Sequence, residues 1–317
     1  MERTPSLYEL IDMNKPQAVL AEIKVIASMI SRMDDFGVIN NASRDVLRLF
    51  TGCYPGYKKN DTGYHDLYHT TDVMLASVRL LHGAATTGME FTAREINQLI
   101  LCAMMHDTGY IQRETDPSGT GARYTAVHIE RSIDFVAEYL QNNPDIDADR
   151  ETMAQILRCT GLNVRIRNIP FKSEKTRLLG FVLGTADLLG QMADRYYLEK
   201  LPILFREFQE GNIPGFSSDW DLIRKTPDFY IMANIRFKKE LGAINRFMKN
   251  HFQVRWSIPQ DLYVMAIEKN IEYLNQLIES GQDYREMFKR KCLFQDRFAG
   301  TEIDRAEGIR DRKGDPA

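Results

Sequence analysis

Residues 64–73 read Tyr64-His65-Asp66-Leu67-Tyr68-His69-Thr70-Thr71-Asp72-Val73 and place His65, His69 and Asp72 at positions i, i+4 and i+7. At about 100° per residue, these three share one face of a helix. Such a stripe is either a solvated surface or a site, since paired imidazoles also arise by chance. A second feature bears on the choice. Residues 96–105 are almost wholly apolar and run into His106-Asp107 and then Thr108-Gly109. A helix that is apolar around its circumference is buried, and a buried carboxylate without a partner costs several kcal/mol. A cation would supply that partner. Asp187 poses the same problem inside Leu178-Leu179-Gly180-Phe181-Val182-Leu183-Gly184-Thr185-Ala186-Asp187-Leu188-Leu189. Its alternative partner is a distant Arg or Lys. Together His69, His106, Asp107 and Asp187 form a set of two imidazoles and two carboxylates, which suits Zn, Mn, Fe or Mg.

The elements that must position these residues are helices. Apolar residues recur at three- and four-residue spacing, and no run of short alternating strands competes. The expected fold is all α, with helices over 17–34, 43–51, 64–82, 92–106, 122–141, 149–159, 174–195, 198–210, 226–249 and 258–290. Breakers such as Pro55-Gly56, Asp116-Pro117-Ser118-Gly119 and Gly211-Asn212-Ile213-Pro214-Gly215 are too short to be interdomain linkers. The expected organisation is an N-terminal helical layer over 1–62, a metal-binding core over 63–195, C-terminal helices packed on it over 196–298, and a charged, mobile tail over 299–317.

Composition limits the partners. The 317 residues are 44% apolar and 27% charged, an ordinary globular balance. A net charge of -3 lacks the basic excess that an extended nucleic acid demands, and a small phosphorylated substrate is compatible with it. No signal-type segment or run of about 18 apolar residues appears, so a cytoplasmic protein without a membrane partner is expected. Cys53, Cys102, Cys159 and Cys292 form no C-x-x-C pair and read as reduced thiols.

The order H-x-x-x-H, His-Asp, then a lone Asp in an apolar helix resembles the HD superfamily of metal-dependent phosphohydrolases. More narrowly, residues 64–73 resemble the Y-H-N-x-x-H-A-x-D-V signature of class I cyclic-nucleotide phosphodiesterases, and Thr185-Ala186-Asp187-Leu188 resembles their T-A-D-L. The resemblance spans about residues 63–195. It implies a compact multi-helix bundle in which His69, His106, Asp107 and Asp187 hold a tighter metal and Asp107 bridges to a weaker one, giving two divalent ions per site. His65 would be the general acid, and Asp72 would orient a histidine from behind or else be a surface charge. His128 is a candidate for the second metal or the substrate, as other HD proteins carry a helix histidine in this region; Glu130 is a lesser one.

Three positions depart from that pattern. Asp66 stands where the family usually has Asn, Tyr110 stands where a histidine usually follows the His-Asp pair, and no F-x-x-x-Q-x-x-F-like stretch supplies a purine-holding glutamine. Weak discrimination between cyclic AMP and cyclic GMP is therefore expected. Residues 114–121 read as an exposed turn or a mobile rim, and Arg165, Arg167, Lys172 and Lys175 as a solvated face or a steering patch. Gln191 and Asp194 share a helix face with Asp187 and point toward the pocket mouth.

The expected chemistry is hydrolysis of a small nucleotide-like phosphoester by a metal-activated water, with His65 protonating the leaving oxygen. Two rivals are a non-catalytic nucleotide-binding regulatory HD module and an HD-type di-iron oxygenase. The oxygenase needs more histidines than the single His128 between Asp107 and Asp187. A homodimer through the C-terminal helices is a candidate assembly.

Overall fold

The computed structural model describes residues 3–288. The expected tail, Cys292 and the last two residues of the helix expected over 258–290 lie outside the described residues. In chain order the helices are α1 (Leu7–Leu10), α2 (Pro16–Ser31), α3 (Gly37–Thr51), α4 (Leu67–Ala85), α5 (Ala93–Met105), α6 (His128–Asn142), α7 (Arg150–Leu157), α8 (Glu174–Ala193), α9 (Tyr197–Glu210), α10 (Asp219–Lys239), α11 (Phe247–Trp256), α12 (Leu262–Ser280) and α13 (Tyr284–Met287). Short 3-10 turns link several of them, and no strand forms among the described residues. The fold is all α.

α4 is the axis of the molecule. Residues 69–84 are buried almost without a break, and α8, α2, α11 and α5 pack around it. One apolar cluster runs from Leu7 to Phe288, so the core at the site and the flanking helices share a continuous interior. Each fully buried Leu or Ile there contributes roughly 1.5–3 kcal/mol.

Capping residues set where the site-bearing helices begin. Asp66 caps α4, its Oδ1 accepting the His69 backbone N–H at 2.7 Å. Thr92 and Glu95 form a reciprocal capping box on α5, and Ser173 caps α8. The cap on α4 overturns one expectation. His65 precedes the cap, so it does not share a helix face with His69 and Asp72; it lies in the bend before α4. Asp66 and His65 thus divide the work, the first starting the helix and the second standing off its end.

The C-terminal third also differs from the periodicity reading. Starting a helix at 226 treats Pro227 as a first-turn residue, yet Ser218 caps α10, which continues through Pro227. The expected helix over 226–249 is two, α10 and α11, separated by a reversal in which Gly242 and Ala243 both take positive φ. No helix among the described residues is long and apolar enough to cross a membrane. Cys53, Cys102 and Cys159 form no disulfide.

Candidate metal centre

Three elements converge. His69 comes from the first turn of α4, His106 and Asp107 from the end of α5, and Asp187 from the middle of α8. His69, His106 and Asp107 are buried, and among residues 182–190 Asp187 alone is not. That one opening on an otherwise buried stretch faces the histidines. His69 Nε2 stands 3.2 Å from Asp187 Oδ1, 3.4 Å from Asp107 Oδ2 and 3.3 Å from His106 Nε2. His106 Nε2 lies 3.1 Å from Asp107 Oδ2 and 3.8 Å from Asp187 Oδ1. Atoms bound to one cation at about 2.1 Å stand about 3.0–3.4 Å apart, so the spacing matches a shared ion.

Tautomers and orphaned atoms point the same way. His106 Nδ1 donates to the Ala103 carbonyl at 2.8 Å, which leaves Nε2 facing the cluster. Asp107 Oδ2 is buried without a hydrogen bond, although imidazole nitrogens surround it at contact distance. Such an atom carries a desolvation cost of about 1–3 kcal/mol or more unless a cation meets it. Among the described residues Asp187 ion-pairs with the two histidines, and no Arg or Lys side chain pairs with it. His69, His106 and Asp107 form a group that could hold a metal ion, and the Asp187 carboxylate lies within reach of it.

The imidazoles and carboxylates of the cluster shift one another's protonation. Burial opposes charge on His69, but contacts with Asp107 and Asp187 outweigh it and raise the imidazole to about 10. His106 is raised as well, burial again being overcome, here chiefly by Asp107. Burial would push Asp107 up, yet the His106 and His69 imidazoles hold it well below the usual carboxylate range.

Around this cluster stand three more aromatic rings. His65 Nδ1 donates to Glu207 Oε2 at 2.6 Å, and Glu207 Oε1 accepts the Tyr64 backbone N–H at 2.7 Å. Glu207, in the last turn of α9, is buried, so this carboxylate is committed to His65 and its neighbour. His128 Nδ1 donates to the Thr125 carbonyl at 2.7 Å, and its Nε2 lies 3.8 Å from Asp107 Oδ1. Burial lowers His128, keeping it neutral with a lone pair on Nε2. The Tyr110 ring packs against both histidines.

The remaining expected residues fall as follows. Asp72 is buried, which excludes a surface charge. Glu130 is held by Arg158 in a two-pronged ion pair and does not face the cluster. Gln191 Oε1 accepts the Tyr64 hydroxyl at 2.9 Å. Lys172 pairs with Asp149, and Lys175 reaches the Glu90 carbonyl and the Phe91 ring, so neither is a free steering charge. The 114–121 turn is tied down: Arg131 grips Asp116, Glu210 takes the Thr120 N–H and hydroxyl, and Asp61 takes the Gly121 N–H.

Two partners escape a reading of the sequence. Glu207 lies in Phe205-Arg206-Glu207-Phe208-Gln209-Glu210, where nothing separates it from its acidic neighbour Glu210. Lys200 is buried between Asp66 and Asp194, its Nζ at 3.3 Å and 3.1 Å from their Oδ2 atoms. That pairing accounts for Asp at position 66: the carboxylate that caps α4 meets a buried ammonium.

The family model described as Npun_R2479-like matches residues 113–271. This is half of the chain, and the chain belongs to that family. The matched stretch contains His128, Asp187 and Glu207 and begins after Asp107. No curated protein matches the sequence.

Proposed function

We propose that this Npun_R2479-like protein is a metal-dependent phosphohydrolase of the HD type, cleaving a small nucleotide-like phosphodiester. The observation that carries the proposal is the buried His69, His106, Asp107, Asp187 cluster with a further imidazole, His65, held beside it by Glu207. His69, His106, Asp107 and Asp187 would hold a divalent cation, and Asp107 Oδ1 with His128 Nε2 would offer two ligands to a second. Such cations supply an acidified water at neutral pH and offset phosphoryl charge.

The chain's own residues supply the proton. With Nδ1–H bonded to Glu207, His65 keeps Nε2 for the substrate. His65 Nε2–H donates to the ester oxygen as its bond to phosphorus lengthens, so the product leaves as an alcohol. Glu207 is in turn fixed by the Tyr64 N–H, which ties it to the residue adjoining His65. A second ionisable partner that fixes the first is the arrangement general-acid catalysis uses.

The test is a panel of phosphodiesters, phosphomonoesters and cyclic nucleotides, assayed with zinc, manganese, iron and magnesium. Diester turnover with weak discrimination between cyclic AMP and cyclic GMP is expected. Tight nucleotide binding with no product under every metal would instead assign a regulatory module. Strong selectivity for one cyclic nucleotide would show that a purine-reading element exists outside the glutamine motif.

A further inference from the structure

Tyr110 closes the 3-10 turn Thr108–Tyr110 that follows the His106-Asp107 pair, and it is almost fully buried. Its ring lies nearly parallel to His65, with centroids 4.1 Å apart and planes 15° apart, and nearly parallel to His128 at 4.5 Å and 19°. The two imidazoles are otherwise held by different partners, each through Nδ1 alone. One hydrogen bond fixes a point on a ring but leaves its plane free to swing about that bond. A flat neighbour at stacking distance removes this freedom.

The backbone carrying Tyr110 is itself clamped. Ser132 Oγ donates to the His106 carbonyl and accepts the Gly109 N–H, while Arg131 Nε donates to the Gly109 carbonyl. A Cβ on Gly109 would stand 1.9 Å from the His128 carbonyl oxygen, and one on Gly121 would stand 1.9 Å from that of Tyr110. Both neighbouring segments therefore touch the turn at backbone distance, which only glycine permits. The ring is placed by main chain on both sides and is not free to adapt to the imidazoles.

We propose that Tyr110 is the positioning residue of the general acid, its ring setting the plane of His65 so that Nε2 faces the ester oxygen above the metal cluster. The inference rests on the hydrolase reading. Tyr110 acts through its face. Burial, reinforced by the nearby Asp107 charge, raises its phenol well above the ordinary tyrosine range.

The experiment is a double-mutant comparison with a diester of poor leaving group. Tyr110→Leu, which removes the plane but keeps apolar volume, should lower kcat by about 10–100-fold with KM and metal content unchanged. Tyr110→Phe should restore most of the turnover. In a His65→Asn background, Tyr110→Leu should cost less than about 2-fold, because the residue it positions is gone. An equal loss in both backgrounds, or a loss that moves KM or metal content, overturns the proposal. If Tyr110→Leu fails to fold by circular dichroism, Tyr110→Met takes its place.

A readout without turnover separates this inference from the hydrolase reading. In the zinc-loaded protein, ¹⁵N NMR of the neutral form of His65 should show the single Nδ1-protonated tautomer in the parent and Tyr110→Phe proteins. Tautomeric averaging is expected in the Leu or Met variant. An unchanged His65 signal in that variant overturns the positioning role even if no substrate is ever turned over. A parent protein inactive on every phosphodiester overturns the hydrolase reading alone.

Discussion

At the residue scale, the account depends on which nitrogen of each histidine is committed. His106 and His128 spend Nδ1 on backbone carbonyls and His65 spends it on Glu207, so each keeps Nε2 for function. His65→Asn should leave metal content intact and lower turnover by about 10²–10⁴-fold on poor leaving groups. The loss should shrink on p-nitrophenyl esters, whose leaving group departs unprotonated. Equal loss on both, or loss of metal, would reassign His65 to ligation or structure. Metal binding carries its own pH signature. His69 is held at about 10 in the metal-free cluster, so at pH 7–8 its proton must leave before the nitrogen can ligate. Apparent affinity should therefore rise with pH until about 10 and fall in acid, and calorimetry in buffers of different ionisation heat should detect the released proton. The sign is opposite for stability without metal: a raised histidine stabilises the fold fully below pH 6.5 and loses that contribution as pH climbs through about 10. Affinity that does not change between pH 6 and 9 would contradict this electrostatic picture. The residues of the candidate cluster stood out in the sequence because burial of a carboxylate in an apolar run is itself anomalous. Glu207 was not, since a single acid among polar neighbours carries no such anomaly.

At the element scale, caps and buried pairs determine where the site residues stand. Asp66 both starts α4 and meets Lys200, which also pairs with Asp194. Lys200→Met should strip the cation from two buried carboxylates and cost about 3–5 kcal/mol in urea unfolding. Asp66→Asn should cost less, because Asn caps a helix about as well as Asp. A Lys200→Met protein as stable as its parent would show the pair to be dispensable. Helix existence was readable from periodicity, but boundaries followed chemistry that periodicity does not record. The cap at Asp66 excludes His65 from α4, and α10 runs through Pro227 with the Thr226 hydroxyl bonded to the Leu222 carbonyl near the proline. Hydrophobic spacing marks a buried face and says nothing about the residue that closes the first turn.

At the scale of the whole molecule, α4 joins the site to a second buried polar pair. His82 near its end meets His251 of α11, Nδ1 to Nδ1 at 3.1 Å, and the Arg79 guanidinium lies over the Phe252 and Tyr263 rings beside them. Burial first, then Arg79 and His82, holds His251 well below its ordinary value. A histidine kept neutral in the fold contributes fully above pH 6.5, and that contribution is lost as pH falls below it. The melting temperature should drop between pH 7 and 5, and His251→Asn should flatten that slope; an unchanged slope would remove the pair from the acid response. The sequence led to the expectation of N- and C-terminal helices layered on the core, but not that α2 and α11 meet α4, because amphipathic faces do not name their partners. The central claim remains that the cluster at the other end of α4 holds a metal that phosphoester hydrolysis requires. Elemental analysis of protein purified without chelator, paired with diester turnover on the same sample, tests it most directly. The account predicts at least one transition metal per chain, lost together with activity in His106→Ala and Asp187→Ala. A metal-free protein with full activity would contradict it.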